Sequence, residues 1–233
     1  MAKAYTTWTV LNNGPLEKLA DNLWTIPGMM ENGSTQRRMT IARLDDGRLI
    51  VHNAIALDEA GMAEIDAFGK VAALIVPNAF HRMDARIWKD RYPDAKVYCP
   101  GGATKGVSAV VPVDGDYGQA PSDGRVRLLH LDGIKAREGV LEVRSPDGVT
   151  LVFNDTLLNM PKLGFPINLF LGPTGKVSVP RFARVAFVSD KRAFVGQLER
   201  LADTADLKRI IFGHGRNLDH DAAATLRAAA AEV

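Results

Sequence analysis

"LIVPNAFHRMDA", Leu74 to Ala85, is the stretch whose reading decides the fold. It closes the apolar run Val71–Pro77, "VAALIVP", which is what a strand buried on both faces looks like. Pro77-Asn78 breaks the run, and His81 follows three residues after the asparagine. The C-terminal mouth of such a strand, just ahead of a helix, is where α/β proteins collect polar side chains. The helix that follows carries Arg86, Trp88 and Lys89 and ends before Pro93, and "AKVYCP" is a second short strand.

Upstream, "LEKLADNLWTIPGM" reads as an entry segment and then a strand around Leu23–Ile26. "RMTIARLDDGRLIVHNAI" is a pair of β runs joined by Asp45-Asp46-Gly47, a hairpin turn. Asp58 is placed to cap a helix that runs to Phe68 and closes at Gly69. Downstream, residues 101–124 read as irregular around a short strand, "SAVVPV". "RVRLLHL" and "GVLEVRSPDGVTLVFND" then give three strands, the last two joined at Pro146-Asp147-Gly148. After Met160 comes an apolar connection, "PKLGFPINLFLGPTGKVSVPRF". Ser189 is placed to cap a helix from Asp190 to Ala202 with Phe194, Leu198 and Leu201 on one face. "LKRIIFGHG" is strand to loop, and "DAAATLRAAAAE" a terminal helix.

Strand pairs, then helix-strand-helix, then strand pairs and a final helix-strand-helix suit two stacked sheets with helices outside. The expectation is one α/β (α+β) domain over residues 1–233, a four-layer αββα sandwich. A doubly wound parallel sheet is disfavoured, because the strand pairs lack long crossover helices. No internal repeat or low-complexity linker interrupts the chain.

Composition narrows the function classes. With 29 basic and 27 acidic residues in 233, there is no charge excess directed at nucleic acid, and no Lys/Arg block interleaves with aromatic residues. The lone Cys99 excludes an intrachain disulfide and a CxxC zinc knuckle. No run approaches the roughly 20 apolar residues of a membrane span, and the N-terminus shows no apolar leader core. No nucleic acid, no membrane and a cytoplasmic location are the expectations.

With that element order, "LVFNDTLL" and "RIIFGHG" resemble the metallo-β-lactamase superfamily over roughly residues 16–233. There a strand ending in Gly-Asp supplies a bridging carboxylate and a late Gly-His supplies a histidine ligand. Asp155 and His214 fall on those positions. The superfamily's His-x-His-x-Asp-His signature is missing: aligned at the strand end, its positions hold Asn78, Phe80, Arg82 and Met83. A one-residue slide puts His81 on the second histidine and matches nothing else. Ile134 stands where "PGH" usually brings the next ligand, and His52 in "LIVHNA" where an early strand usually ends in Asp. "GRLIVHNAI", "VPNAFH" with a following Trp, and "YPDAKVY" resemble a branch of the superfamily classed as a domain of unknown function.

A dinuclear site fails on ligand count. A mononuclear one is expected from His52, His81, Asp155 and His214, all near strand C-termini, holding one zinc (or iron or manganese) ion. Asp155 and His214 would then be the catalytic pair of a metal-dependent hydrolase with a degenerate site and an unassigned substrate. The alternative is a metal-free, inactive module on the same fold that binds a small ligand or a protein, its histidines satisfied by hydrogen bonds. Asn78 is assigned to its turn, or to orienting His81; His130 to a polar strand edge, with Asp132 available to orient a histidine; and His220 to solvent. Cys99 reads as a buried small hydrophobe. No Gly-x-Ser-x-Gly elbow is present, and "CPGGATKG" lacks P-loop spacing. The run "LGFPINLFLG", Leu163 to Gly172, must be covered: a substrate lid, a homodimer contact, a flap over the former metal site, or a segment tucked into its own core.

Overall fold

The computed structural model describes residues 3–33, 35–172 and 174–233. The first half holds β1 (Glu17–Ala20), β2 (Leu23–Met29), β3 (Gln36–Arg43), β4 (Arg48–His52), α1 (Glu59–Phe68), β5 (Lys70–Ile75), α2 (Ala85–Arg91), β6 (Lys96–Tyr98) and the short α3 (Thr104–Val107). The second holds β7 (Val126–His130), β8 (Gly139–Ser145), β9 (Gly148–Phe153), α4 (Ile167–Leu171), α5 (Arg181–Ala186), α6 (Lys191–Ala202), β10 (Leu207–Phe212) and α7 (Ala222–Ala231).

One sheet runs β1-β2-β3-β4-β5-β6 and the other β10-β9-β8-β7. Their inner strands are apolar on both faces, and successive residues point opposite ways except at the irregularity of β5 between Val71 and Ala73. Along β5, Val71 and Leu74 join Met62, Ile65 and Trp88 of α1 and α2 in one core, while Ala73 and Ile75 face the second sheet. Along β9, Leu151 and Phe153 meet Phe194, Leu198 and Leu226 of α6 and α7, while Val152 turns inward. The inner layer joins Ile50, Ala73 and Ile75 to Leu141, Val143, Val152 and Ile211. Three cores between four layers make the αββα sandwich expected from the sequence.

The local signals explain the element ends. Asp58 accepts from the Gly61 N–H at the start of α1, and the Gly69 N–H closes it on the Ile65 carbonyl. A Cβ at Gly69 would lie 2.2 Å from the Gly47 carbonyl oxygen, so only glycine lets the helix end against the hairpin turn. Three expectations fail. Ser108–Val113 is no strand: Val107 and Val111 are buried, and the segment coils off α3 without a sheet partner. The connection after Met160 folds into α4 and α5, helices too short to show a periodicity. The cap of α6 is Asp190, whose carboxylate accepts from the Ala193 N–H, while the Ser189 hydroxyl donates to the Gly133 carbonyl.

β4 and β5 are parallel, as are β9 and β10, so four strand C-termini open along one edge of the sandwich. The loop after β5 is tied down there at both ends. Asn78 Oδ1 accepts from the Phe80 N–H at 2.8 Å, and buried Asp84 pairs with buried Arg37 of β3 and accepts from the Ala56 N–H at 3.0 Å. Burial raises the Asp84 pKa and Arg37 opposes the rise, so the pair holds the loop against the sheet.

Candidate metal centre

His81, Asp155 and His214 converge at that edge, from the loops that follow β5, β9 and β10. His81 Nε2 lies 3.1 Å from Asp155 Oδ1, His214 Nε2 lies 3.2 Å from His81 Nε2, and His214 Nε2 lies 3.3 Å from Asp155 Oδ1. These three atoms form a nearly equilateral triangle.

The far side of each imidazole fixes its proton. His214 Nδ1 is 2.5 Å from the Gln36 carbonyl oxygen, which only accepts, so Nδ1 carries the hydrogen. Asn53 Nδ2 donates to the Arg38 carbonyl at 2.9 Å, which turns Asn53 Oδ1 to His81 Nδ1 at 3.1 Å, so that nitrogen is the donor too. In the neutral state both Nε2 atoms therefore present lone pairs, and they present them to each other and to a carboxylate oxygen. Such a triangle is repulsive unless a cation or a proton lies within it. The carbonyl-fixed tautomer is also the usual support of a metal-binding histidine.

Asp155 is held as rigidly. Its Oδ2 accepts from Asn78 Nδ2 at 2.9 Å. Behind it lies Glu138, fully buried, which takes five hydrogen bonds. Oε1 accepts from the Asn154 and Thr156 N–H groups, both at 3.1 Å, and from the Thr156 hydroxyl at 2.5 Å. Oε2 accepts from the Asp155 N–H at 2.8 Å and Asn78 Nδ2 at 3.2 Å. Burial and the Asp155 charge raise the Glu138 pKa, and these donors oppose the rise. Burial likewise pushes Asp155 up, but with a proton on the facing Nε2 atoms the charge of His81 and the hydrogen bonds of both imidazoles outweigh it, taking its pKa well below the carboxylate range. Burial pulls His214 down, yet the bond and charge of Asp155 more than offset that, so its net displacement is upward.

The fourth expected residue stands apart. His52 is buried at the end of β4, its Nε2 has no hydrogen-bond partner, and it lies outside the group whose donor atoms all fall within 4.8 Å of one another. Burial, then the neighbouring His81 charge, pulls its pKa down to about 3, so it is neutral. Asn78 holds its turn as expected, but the side chain it orients is Asp155, and His81 is set by Asn53. Asp132 pairs with Arg200 at the surface, His130 with Asp116 and His220 with Asp219. Ile134 is core and Cys99 is buried, its thiol pKa raised by burial.

Glu138 and Asn53 escape a reading of the sequence. Asn53 carries one local signal: it sits at φ +58, and asparagine directly after a strand tolerates that left-handed region. Glu138 carries none, because the N–H groups it binds belong to a loop 16 to 18 residues away.

Beside Asp155 and His214 opens a cleft of about 400 Å³, lined otherwise by Thr35, Leu158, Met160, Leu163, Ile167, Phe170, Leu171 and Phe182. The Leu163–Gly172 run thus lies over the triad's edge as a flap. Phe170 stacks on Phe182 at 5.4 Å, and Phe182 meets buried Phe187 edge-on at 6.0 Å, anchoring the flap to the second sheet's outer core.

Among solved structures, the chain is similar to DIM-1 metallo-β-lactamase at TM-score 0.65 and 10% identity, covering 96% of this chain and 99% of that one. The chain has the metallo-β-lactamase fold. DIM-1 exposed to ceftazidime gives TM-score 0.61 at 13% identity with the same coverage. The mono-zinc form of FIM-1 from Pseudomonas aeruginosa gives 0.59 at 12%, covering 96% of each chain. No family model matches the sequence, and no curated protein does. Among the described residues no helix is long and apolar enough to cross a membrane.

Proposed function

We propose that His81, Asp155 and His214 hold a single zinc ion and that the protein is a metal-dependent hydrolase. The observation that carries this reading is the triangle of lone pairs, with both imidazole protons committed to carbonyl oxygens on the far side. The donor set fits. Four-coordinate zinc with ligand bonds of about 2.0–2.1 Å spaces its ligand atoms roughly 3.3 Å apart, and the three edges here are 3.1, 3.2 and 3.3 Å. Two histidines and one carboxylate leave a position open, as catalytic sites do. FIM-1, of the same fold, is known in a mono-zinc form.

When bound, such an ion lowers the pKa of a bound water toward neutrality and so supplies a nucleophile. The chain's own groups prepare the place. Gln36 and Asn53 aim the imidazoles, Asn78 and the Asp155 N–H bonded to Glu138 fix the carboxylate, and the apolar cleft excludes bulk water from one side. His52, neutral and buried, takes no part as an acid.

A second reading has its own observation. A proton on His214, whose pKa is raised, satisfies the same triangle as an imidazolium–carboxylate pair. The protein would then be a metal-free binding module. Elemental analysis of protein purified without chelators separates the two. The first reading expects close to one zinc per chain, lost in His81→Ala and His214→Ala; trace metal, unchanged in those variants, leaves only the second.

A further inference from the structure

The large apolar side chains that folding leaves exposed gather on one face. Among the described residues, Phe165, Ile167, Leu169, Phe170 and Val185 are five of the seven, all on α4, α5 or the loop ahead of α4. Phe165 and Val185 are 86% and 77% exposed, and Phe170 of α4 stacks on Phe182 of α5, which makes the two short helices one surface. The charge on that surface has one sign. Residues 156–189 contain Lys162, Lys176, Arg181 and Arg184 and no Asp or Glu, in a chain that carries 29 basic and 27 acidic residues. Lys176 pairs with Glu232 at 2.5 Å. Arg181 and Arg184 donate to the Leu169 and Val179 carbonyls, both at 2.9 Å, and among the described residues neither they nor Lys162 meets a carboxylate. Cations nearby differ: Arg200 of α6, Lys208 of β10 and Arg227 of α7 each face one.

We infer that this face docks on an anionic phospholipid bilayer, with Phe165, Leu169 and Val185 entering the interface and Lys162, Arg181 and Arg184 resting among the headgroups. A contiguous exposed apolar patch marks an interaction surface. Apolar tips beside cations let a surface lie in the bilayer interface without spanning it, and long basic side chains reach headgroup depth while their stems follow the apolar face. A second copy is the poorer occupant. A twofold contact sets a patch against itself, and here it would oppose like charges with no carboxylate from the segment between them. An acidic protein would supply the charge but needs complementary pockets for side chains that stand singly out of the surface, whereas lipid closes round them. The expectation of no membrane partner rested on the lack of a spanning run. The cations are spread over residues 162–184 and gather only as the chain folds back, Lys162 beside Gly175 and Arg181 against Leu169.

The full chain is floated with phosphatidylcholine vesicles, without and with about 40% phosphatidylglycerol, at about 0.1 M and about 0.5 M salt. Binding is expected to be at least about tenfold tighter on the anionic vesicles than on the neutral ones and to weaken at the higher salt. Lys162→Gln is expected to weaken it about fivefold, the worth of one cation near a charged surface, and Phe165→Ser about tenfold. Val10→Ser, at an exposed side chain beside α1 in the opposite outer layer, is expected to leave it unchanged. All three substitutions fall on exposed positions that leave the core intact. No binding to anionic vesicles, equal binding to neutral ones, or as large a loss in Val10→Ser as in Phe165→Ser overturns the inference. So does a stable dimer that Phe165→Ser dissociates while vesicles fail to bind; the face is then a contact between copies. Tighter binding to soluble polyglutamate than to the vesicles also overturns it and makes an acidic protein the partner. Chelator-treated protein is expected to bind vesicles as the zinc-loaded protein does, since the docking face holds none of the triad.

Discussion

The floor of the site and the flap above it are built on opposite principles. The floor is over-determined: Glu138, Asp155, Asn78, Asn53 and both imidazoles have their polar atoms committed to named partners, and all but His81 and His214 are essentially buried. The flap is under-determined. Leu169 and Phe170 are 63% and 65% exposed, and the segment is tied down by the Phe170–Phe182 stack, by Arg181 donating to the Leu169 carbonyl at 2.9 Å and by the Leu163 N–H donating to the Thr174 hydroxyl at 2.8 Å. A rigid donor set suits an ion, whose ligands must be held to a few tenths of an ångström. A loosely held apolar cover suits a ligand that varies in shape.

The contrast breaks first at Glu138. Glu138→Ala strands the N–H groups of Asn154, Asp155 and Thr156 and one Asn78 donor, and should cost about 3–5 kcal/mol in urea unfolding. A loss under 1 kcal/mol would mean that the floor is not held from behind. Next comes Gly213→Ala: the added Cβ would sit 2.1 Å from Asn154 Oδ1, pushing the loop that carries Asp155. A cost of about 1–3 kcal/mol is expected, with zinc affinity lowered more than for any flap substitution.

pH supplies a third test. The folded pKa of His52 is depressed to about 3 against an ordinary 6.5, so the unfolded chain binds the extra proton. That contribution is intact above pH 6.5 and is lost as pH falls, by about 2 kcal/mol at pH 5. His214 acts with opposite sign in metal-free protein: its raised pKa stabilises below the unfolded value, and the benefit disappears as pH rises through the folded one. Unfolding curves of His52→Asn should therefore be flatter between pH 7 and 5 than those of the parent; an unchanged slope contradicts a neutral, buried His52. The smallest effect belongs to the flap: Phe165→Ser should move stability by less than about 0.5 kcal/mol, checked by the same unfolding curves.

The same contrast governs what the sequence reveals. Elements set by local chemistry are legible in it: the Asp58 and Gly69 ends of α1, the hairpin at Asp45–Gly47 and the turn at Pro146–Gly148 are all where the pattern places them. So are three members of the triad, because loops after buried parallel strands share one edge. What depends on distant partners is not. His52 sits at a strand end like the others, yet it is buried outside the triad, and nothing local distinguishes it. Glu138 lies in a charged stretch, "KAREG", that reads as surface, and only the Asn154–Thr156 loop makes it core. Ser108–Val113 has β-rich composition, yet it turns off α3 and the chain meets the β6 edge only at Asp114–Gly115.

The ring protons of His81 and His214 test the central claim most directly. Long-range ¹H–¹⁵N correlation spectra of zinc-loaded protein at pH 8 report which nitrogen of each imidazole carries hydrogen. Both should be protonated at Nδ1, with Nε2 shifted to the metal-bound range and returned by chelator. A hydrogen on Nε2 of either ring in the zinc-loaded protein, or spectra that zinc leaves unchanged, would contradict it.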